Sequence, residues 1–420
     1  MSVDSSRSKQ RFSSDFWKFW AGQTISSFGS SVSGFAIPLL IFKLTGSSVS
    51  LAFSMAISIL PYPLFGLVIG AWVDRTNRRR LMLFTDQARA LVITSLFFAA
   101  LVGVLSVWWI FVAAFLNSSL SIGFDAASFA AVPSMVHQEQ LLTANGRMQA
   151  GYSTASVIGP LLAGLLIIVV PLPLLFLIDA ASFLISAGSI ALIKTSFQPS
   201  ADQEPVPGSL FTSIKEGLRY VLKHRFLSWI ILLLVLANFI MPTPTVQLVP
   251  FAREWFAASD TQIGLLYAAG SLGTVLSSLL AARIGKHWSP GALMLASMLL
   301  SGLFTFLATL THWYWALLFF WGICGGAGIL FNITSYSLTQ SEVPSKLLGR
   351  VITFARVLSW STAPLGALLG GFAIERTHNI ALVYAGTGLL VMVIALVFFA
   401  TPLGRAGHAG PRTDQGQPVE

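Results

Sequence analysis

Apolar stretches long enough to cross a bilayer recur about a dozen times along this chain, and no other feature restricts its fold so severely. A helix needs about 20 mostly apolar residues to traverse the hydrocarbon core. Within that core each backbone N–H and C=O must be satisfied inside the protein, which favours rods that bond to themselves. The runs cover roughly 16–42, 50–73, 81–104, 107–132, 143–169, 172–193, 226–250, 260–282, 289–310, 313–338, 347–373 and 379–401. Only 10% of residues are charged and 55% are hydrophobic, whereas soluble domains carry roughly a quarter charged residues. The expected fold is an all-α membrane protein, with twelve transmembrane helices in two pseudo-symmetric six-helix bundles.

The basic residues test that topology. With the N-terminus inside, alternate loops carry Arg7, Lys9, Arg11, Arg78, Arg79, Arg80, Lys215, Arg219, Arg283, Lys286, Lys346 and Arg350, while the outer loops hold only Lys43, Arg253 and Arg376. Cytoplasmic loops are enriched in Lys and Arg, so both termini are expected in the cytoplasm and the net charge of +9 reads as membrane topology, not nucleic-acid binding. The longest polar interval follows the sixth run. The expected division is therefore an N-terminal six-helix bundle over 1–194, a cytoplasmic linker over 195–225, a C-terminal six-helix bundle over 226–401 and a disordered cytoplasmic tail over 402–420. In the linker, Leu210, Ile214, Leu218, Val221 and Leu222 recur at helical spacing, which predicts an amphipathic helix on the membrane surface. A faint repeat relates 124–129 to 331–336, near half the chain length, as parallel repeats would leave.

Three local patterns point to moving parts. Gly70, Asp74, Arg75, Arg79 and Arg80 crowd the short loop after the second run, where Asp74 could hold a neighbouring helix or Arg in one conformation and release it in another. The alternative is plain topological anchoring. Gly159, Pro160 and Gly164 in the fifth run, and Pro364 and Gly370 in the eleventh, combine a helix kink with close packing. Pro61, Pro63, Pro242, Pro244 and Pro250 break the second and seventh runs, and broken helices tend to line cavities, where the freed backbone groups find partners.

Ionisable groups within spans are rare, and each is by default a functional group or half of a pair. Asp125 and Asp179 are the candidates for proton coupling; Asp86 is a weaker one because it sits close to the basic loop, where it can simply pair, and Arg89 and Arg356 because long side chains near helix ends can snorkel to the interface. Gln23, Phe35, Asn117, Asn238, Phe239, Asn332, Tyr336 and Arg356 are the candidates for a central cavity. The 6 histidines are scattered without metal-ligand spacing, the single cysteine Cys324 permits no disulfide framework, and no phosphate-binding loop is present. Neither a catalytic constellation, a cofactor nor a metal is expected, and the energy source expected is an ion gradient.

The loop Gly70-xxx-Asp74-Arg75-x-Asn77-x-Arg79-Arg80 resembles the signature between helices 2 and 3 of the major facilitator superfamily, with Asn77 in place of its usual glycine. The stretch from Phe16 to Ser26 with Gly29, the Leu44–Ser48 turn, Leu141–Asn145, and Gly159-Pro160-xxx-Gly164 resemble the macrolide-efflux-type branch of drug:proton antiporters. The resemblance implies the superfamily's fold, a role for Asp74 in stabilising the outward-facing state, and a secondary transporter working by alternating access. It further implies proton-coupled efflux of lipophilic or amphipathic compounds, from a bacterial inner membrane, by a monomer. The arginine common in helix 4 of such antiporters is missing; Asn117 lies near that place. The alternatives are a transporter for one metabolite, lipid or siderophore, and a non-transporting scaffold or receptor.

Overall fold

The computed structural model describes residues 12–62, 64–65, 69, 76–137, 140–197, 218–343 and 345–404. The loop carrying Gly70, Asp74 and Arg75, most of the linker helix and the tail from 405 onward lie outside the described residues.

The chain is all-helical there. The helices are α1 (Ser14–Thr45), α2 (Ser48–Ile59), α3 (Arg78–Leu101), α4 (Val107–Met135), α5 (Leu141–Val169) and α6 (Leu174–Ala191), then α7 (Arg225–Ile240), α8 (Asp260–Ile284), α9 (Pro290–Leu307), α10 (Tyr314–Glu342), α11 (Ser345–Thr377) and α12 (Ile380–Phe399). Eleven described helices are long and apolar enough to cross a membrane, and Ser48–Ile59 is a shorter apolar one.

Side-chain caps begin several of the helices. Ser13, Ser47, Ser106 and Ser289 each accept a backbone N–H of the first turn of the helix that follows, as do Asn77 and Asn379. Such oxygens satisfy donors that have no intrahelical partner. Ser259 and Gln262 complete a reciprocal capping box on α8. Gly46 closes α1 at φ 60°, a left-handed conformation that glycine adopts without strain.

The seventh run does not continue as one rod. It breaks after Ile240, re-forms as the short pieces Pro242–Val246 and Leu248–Phe256, and ends at Ala257 with φ 50°. Pro242 and Pro244 supply the cause, since neither has an N–H to donate.

Three apolar clusters define how the halves sit. One includes Leu39, Ile41 and Phe176 from the first half together with Leu248, Phe251 and Tyr384 from the second. The others belong to one half each: Phe16, Met82, Phe124 and Phe197 in the first, Leu227, Met294, Phe331 and Phe398 in the second. Among the described residues the halves therefore meet at the end that holds Gly46, Ala257 and His378, and no shared apolar cluster joins them at the end that holds Asn77 and Phe197.

Two helix pairs carry the join, α5 with α8 and α2 with α11. At the first crossing Gly164 and Gly264 touch backbone to backbone; a Cβ on Gly164 would fall 2.6 Å from the Gly264 Cα. At the closed end Asp260 pairs with both Lys43 across the join and Arg253 on its own half. Glu375 accepts the Ser47 hydroxyl and the Val49 N–H, and the Gln247 amide donates to the Ser48 carbonyl at 2.8 Å.

Candidate functional site

Below the shared apolar cluster lies a cavity of about 430 Å³. Its walls come from α5, from the broken seventh segment and from α8, α9, α10 and α12. The break at Pro242 and Pro244 places Met241 and Thr245 on the wall, and Tyr267, Trp321, Thr305 and Cys324 face them from α8, α10 and α9. Close packing of α8 on α10 brings these walls together: a Cβ on Gly273 would strike the Gly322 carbonyl. Two smaller hollows adjoin, sharing Asn238 and Asn332, and one of them also contains Met55 of α2. Among the described residues, no Asp, Glu, Lys, Arg or His lines any of the three. The lining is aromatic, methyl-bearing and hydroxyl-bearing, a surface suited to molecules held by shape and a few hydrogen bonds.

Of the cavity candidates, Asn238, Asn332 and Tyr336 come together in the second hollow, beside Ser335 and Thr339. The others lie elsewhere. Gln23 is buried between α1 and α6, where its amide donates to the Ser186 hydroxyl at 2.9 Å. Phe35 sits in the shared apolar cluster with its ring edge-on to Tyr267, 5.1 Å between centroids. Asn117 accepts the Arg89 Nε–H at 3.1 Å. Phe239 is half-buried in the second half, with its carbonyl pressed against Gly366. The Arg356 side chain lies outside the described part of α11. Tyr267, Thr245 and Thr305 are cavity residues that the sequence reading did not single out; a hydroxyl in an apolar run signals little, because it can bond back to its own helix.

Among the described residues, the buried charged groups, Arg78, Asp86, Arg89 and Asp179, all lie in the first half. Asp179 is 1% exposed, and its Oδ1 accepts the Ser30 and Ser182 hydroxyls at 3.4 Å each. Asp125 opens onto a separate hollow of about 170 Å³ with Ser128, Asn145 and Tyr152, and accepts the Ser121 hydroxyl at 3.3 Å. Arg89 lays its guanidinium over the Phe183 ring, 4.1 Å from the centroid. A neutral cavity mostly in one half and the buried charges in the other are thus physically separate.

The described part of the basic loop bonds to backbone carbonyls, one of them at a helix end. Arg79 donates to the Ala191 carbonyl at the end of α6, and Arg78 to Ala130 and Phe197 carbonyls at 3.2 and 3.4 Å. Cations favour helix C-termini, where carbonyls are unpaired. The Arg80 backbone N–H bonds to Asn77, and its side chain is exposed. Asp15 of α1 takes the Lys194 and Thr195 N–H groups at 3.0 Å, tying the exit of α6 to the start of α1. Among the kink residues, Pro160 lines the cavity, Gly159 abuts Ser31 of α1 and Gly370 abuts Thr243, while Pro364 lies inside α11.

A family described as transmembrane secretion effector matches residues 11–419. Macrolide efflux protein A of Streptococcus pyogenes is 24% identical over 91% of this chain and 94% of its own. The enterobactin exporter EntS of Salmonella choleraesuis is 25% identical over 91% of each chain. Among solved structures, a bacterial homologue of the human lysosomal transporter Spinster, in an inward-facing and unoccupied conformation, has the same fold: TM-score 0.71 at 16% identity, covering 96% of this chain and 98% of that one.

Proposed function

Because the chain belongs to the transmembrane secretion effector family and is a secondary-active, alternating-access transporter of the major facilitator superfamily, we propose that it exports lipophilic or amphipathic compounds in exchange for protons across a bacterial cytoplasmic membrane. The observation that carries this reading is the uncharged cavity of about 430 Å³, walled by Tyr267, Trp321 and Met241 and dotted with hydroxyls, beside the α5–α8 join. Such a wall holds many shapes loosely. The basic loops orient it: with Arg78, Arg79 and Arg80 in the cytoplasm, the end at which no shared apolar cluster joins the halves faces inward and is where they part, so the cavity loads from the cell interior. Asp125 and Asp179 are the proton carriers in this reading, and Asp125 stands at the same end as the opening.

The test has two arms. In a host stripped of its own pumps, expression is expected to raise resistance to several unrelated lipophilic toxins. In proteoliposomes, those compounds are expected to drive proton movement, and Asp125→Asn is expected to abolish it. No protection and no proton movement across a broad panel would refute the proposal.

A second reading, export of one polar metabolite or siderophore, is favoured by the convergence of Asn238, Asn332, Ser335 and Thr339 on a single hollow. It predicts protection against one compound class only, lost in Asn238→Ala with Asn332→Ala.

A further inference from the structure

The first half contains a buried carboxylate that the cavity does not use and that makes no hydrogen bond of good geometry. Asp86 lies on α3 at 0% exposure, and neither of its oxygens has a hydrogen-bond partner among the described residues. No ion pair joins it to Arg89, one turn away on the same helix, although that spacing places the two side chains on one face. Arg89, 9% exposed, is instead held by the Phe183 ring and the Asn117 amide oxygen.

The groups around this pair can be named helix by helix. Arg89 shares α3 with Asp86; α6 brings Asp179 and the Ser186 hydroxyl; α4 brings Asp125; α1 brings the uncharged Gln23 and Ser30; Tyr62, after α2, and Tyr152 on α5 stand near Asp125. Beside Asp179, the Ser33 hydroxyl is also buried and without a hydrogen bond. Three carboxylates thus share one arginine. An ionised carboxylate buried with no formed hydrogen bond or ion pair is costly in a membrane interior, even with a hydroxyl and a guanidinium nearby. Arginine does not give up its proton under such conditions. The arrangement is stable when Asp86 holds a proton, and one move of the Arg89 side chain along its own helix would satisfy the carboxylate once that proton leaves.

We propose that Asp86 is a proton-binding site of the first half, and that loading and unloading it moves Arg89 between the Phe183–Asn117 seat and the Asp86 carboxylate. This deepens the proton-coupled reading above, because it adds a carrier and a moving partner that touch no part of the substrate cavity. Arg89 leans on α4 and α6 in the loaded state and on α3 alone in the unloaded one. The proton would thereby alter the packing of the half whose α5 crosses α8 at Gly164.

The experiment is infrared difference spectroscopy of the purified full chain in lipid nanodiscs, titrated with acid and base. It needs no transported compound. In the wild type the protonated-carboxyl carbonyl region is expected to rise on acidification and fall on alkalinisation, and one component of it, the Asp86 band, is expected to vanish in Asp86→Asn while the components of Asp125 and Asp179 stay. Asp125→Asn is expected to keep it. Arg89→Gln is expected to retain the band when base is added, since the partner that accepts the bared carboxylate is gone. Should Asp86→Asn fail to fold, Asp86→Glu retains the carboxyl and is expected to shift the band's frequency. A wild type with no titrating band, a band unchanged in both Asp86 variants, or a band that answers to sodium at constant pH would each overturn the assignment. Export without the band would remove this site and leave the transport reading intact; the band without any export would do the reverse.

Discussion

Cys324 is the single cysteine of the chain, and its sulfur lies on the cavity wall beside Thr305, at 3.8 Å. It is a built-in reporter of which face the cavity opens to. If the halves part on the cytoplasmic side, as proposed, a polar maleimide is expected to label Cys324 in inside-out vesicles and to leave it unlabelled in intact cells; mass spectrometry of the intact protein reads the difference. Labelling from the outside only would reverse the proposed orientation. Asn238, Asn332 and Tyr336 were legible as candidates because amides and phenols are conspicuous in apolar runs, and they do meet in one hollow. Asp86 is less legible: its closeness in sequence to the basic loop suggests a partner, yet neither of its buried oxygens makes a hydrogen bond. Pairing depends on where a side chain points, which spacing alone leaves open.

The helices themselves follow from local chemistry. A Ser or Asn before an apolar run marks a start, a proline pair breaks the seventh segment, and a glycine ends α1. The α5–α8 crossing illustrates what such marks leave open. Gly164 is visible as a small residue in a helix, but its partner Gly264 is 100 positions away and nothing in either run names the other. Gly164→Val is expected to force the two backbones apart. Overpacking of this kind costs about 1–3 kcal/mol, and the melting temperature of the purified protein is expected to fall accordingly. Gly146→Val, on the same helix with open space around it, serves as the control, expected to melt close to wild type. Equal losses in both would mean that valine is penalised for helix propensity, not for the crossing.

The state of the whole molecule rests on contacts between its halves. Ser47 and Glu375 meet at the closed end, so the pair Ser47→Cys with Glu375→Cys, in a Cys324→Ser background, is expected to cross-link on oxidation and to stop transport until reduced. Cross-linking without loss of transport would show that this end need not open. Asp260→Asn removes the carboxylate that holds Lys43 and Arg253. The pair is partly exposed, so its contribution is up to about 1 kcal/mol, and a fewfold shift toward the outward-open state is expected, read as slower labelling of Cys324 in inside-out vesicles. Faster labelling would contradict a role in closing that end. From sequence alone came the membrane as solvent, the helical rods that cross it, the proline breaks and the uneven placement of basic residues, because hydrocarbon and the positive-inside bias act on each segment separately. Tertiary structure alone decided which faces turn inward, which glycines touch, and which carboxylates remain unpaired. In a soluble helix the polar face announces the outside; here lipid and protein interior are both apolar, so helix rotation leaves almost no trace in the pattern and is settled only by packing against neighbours.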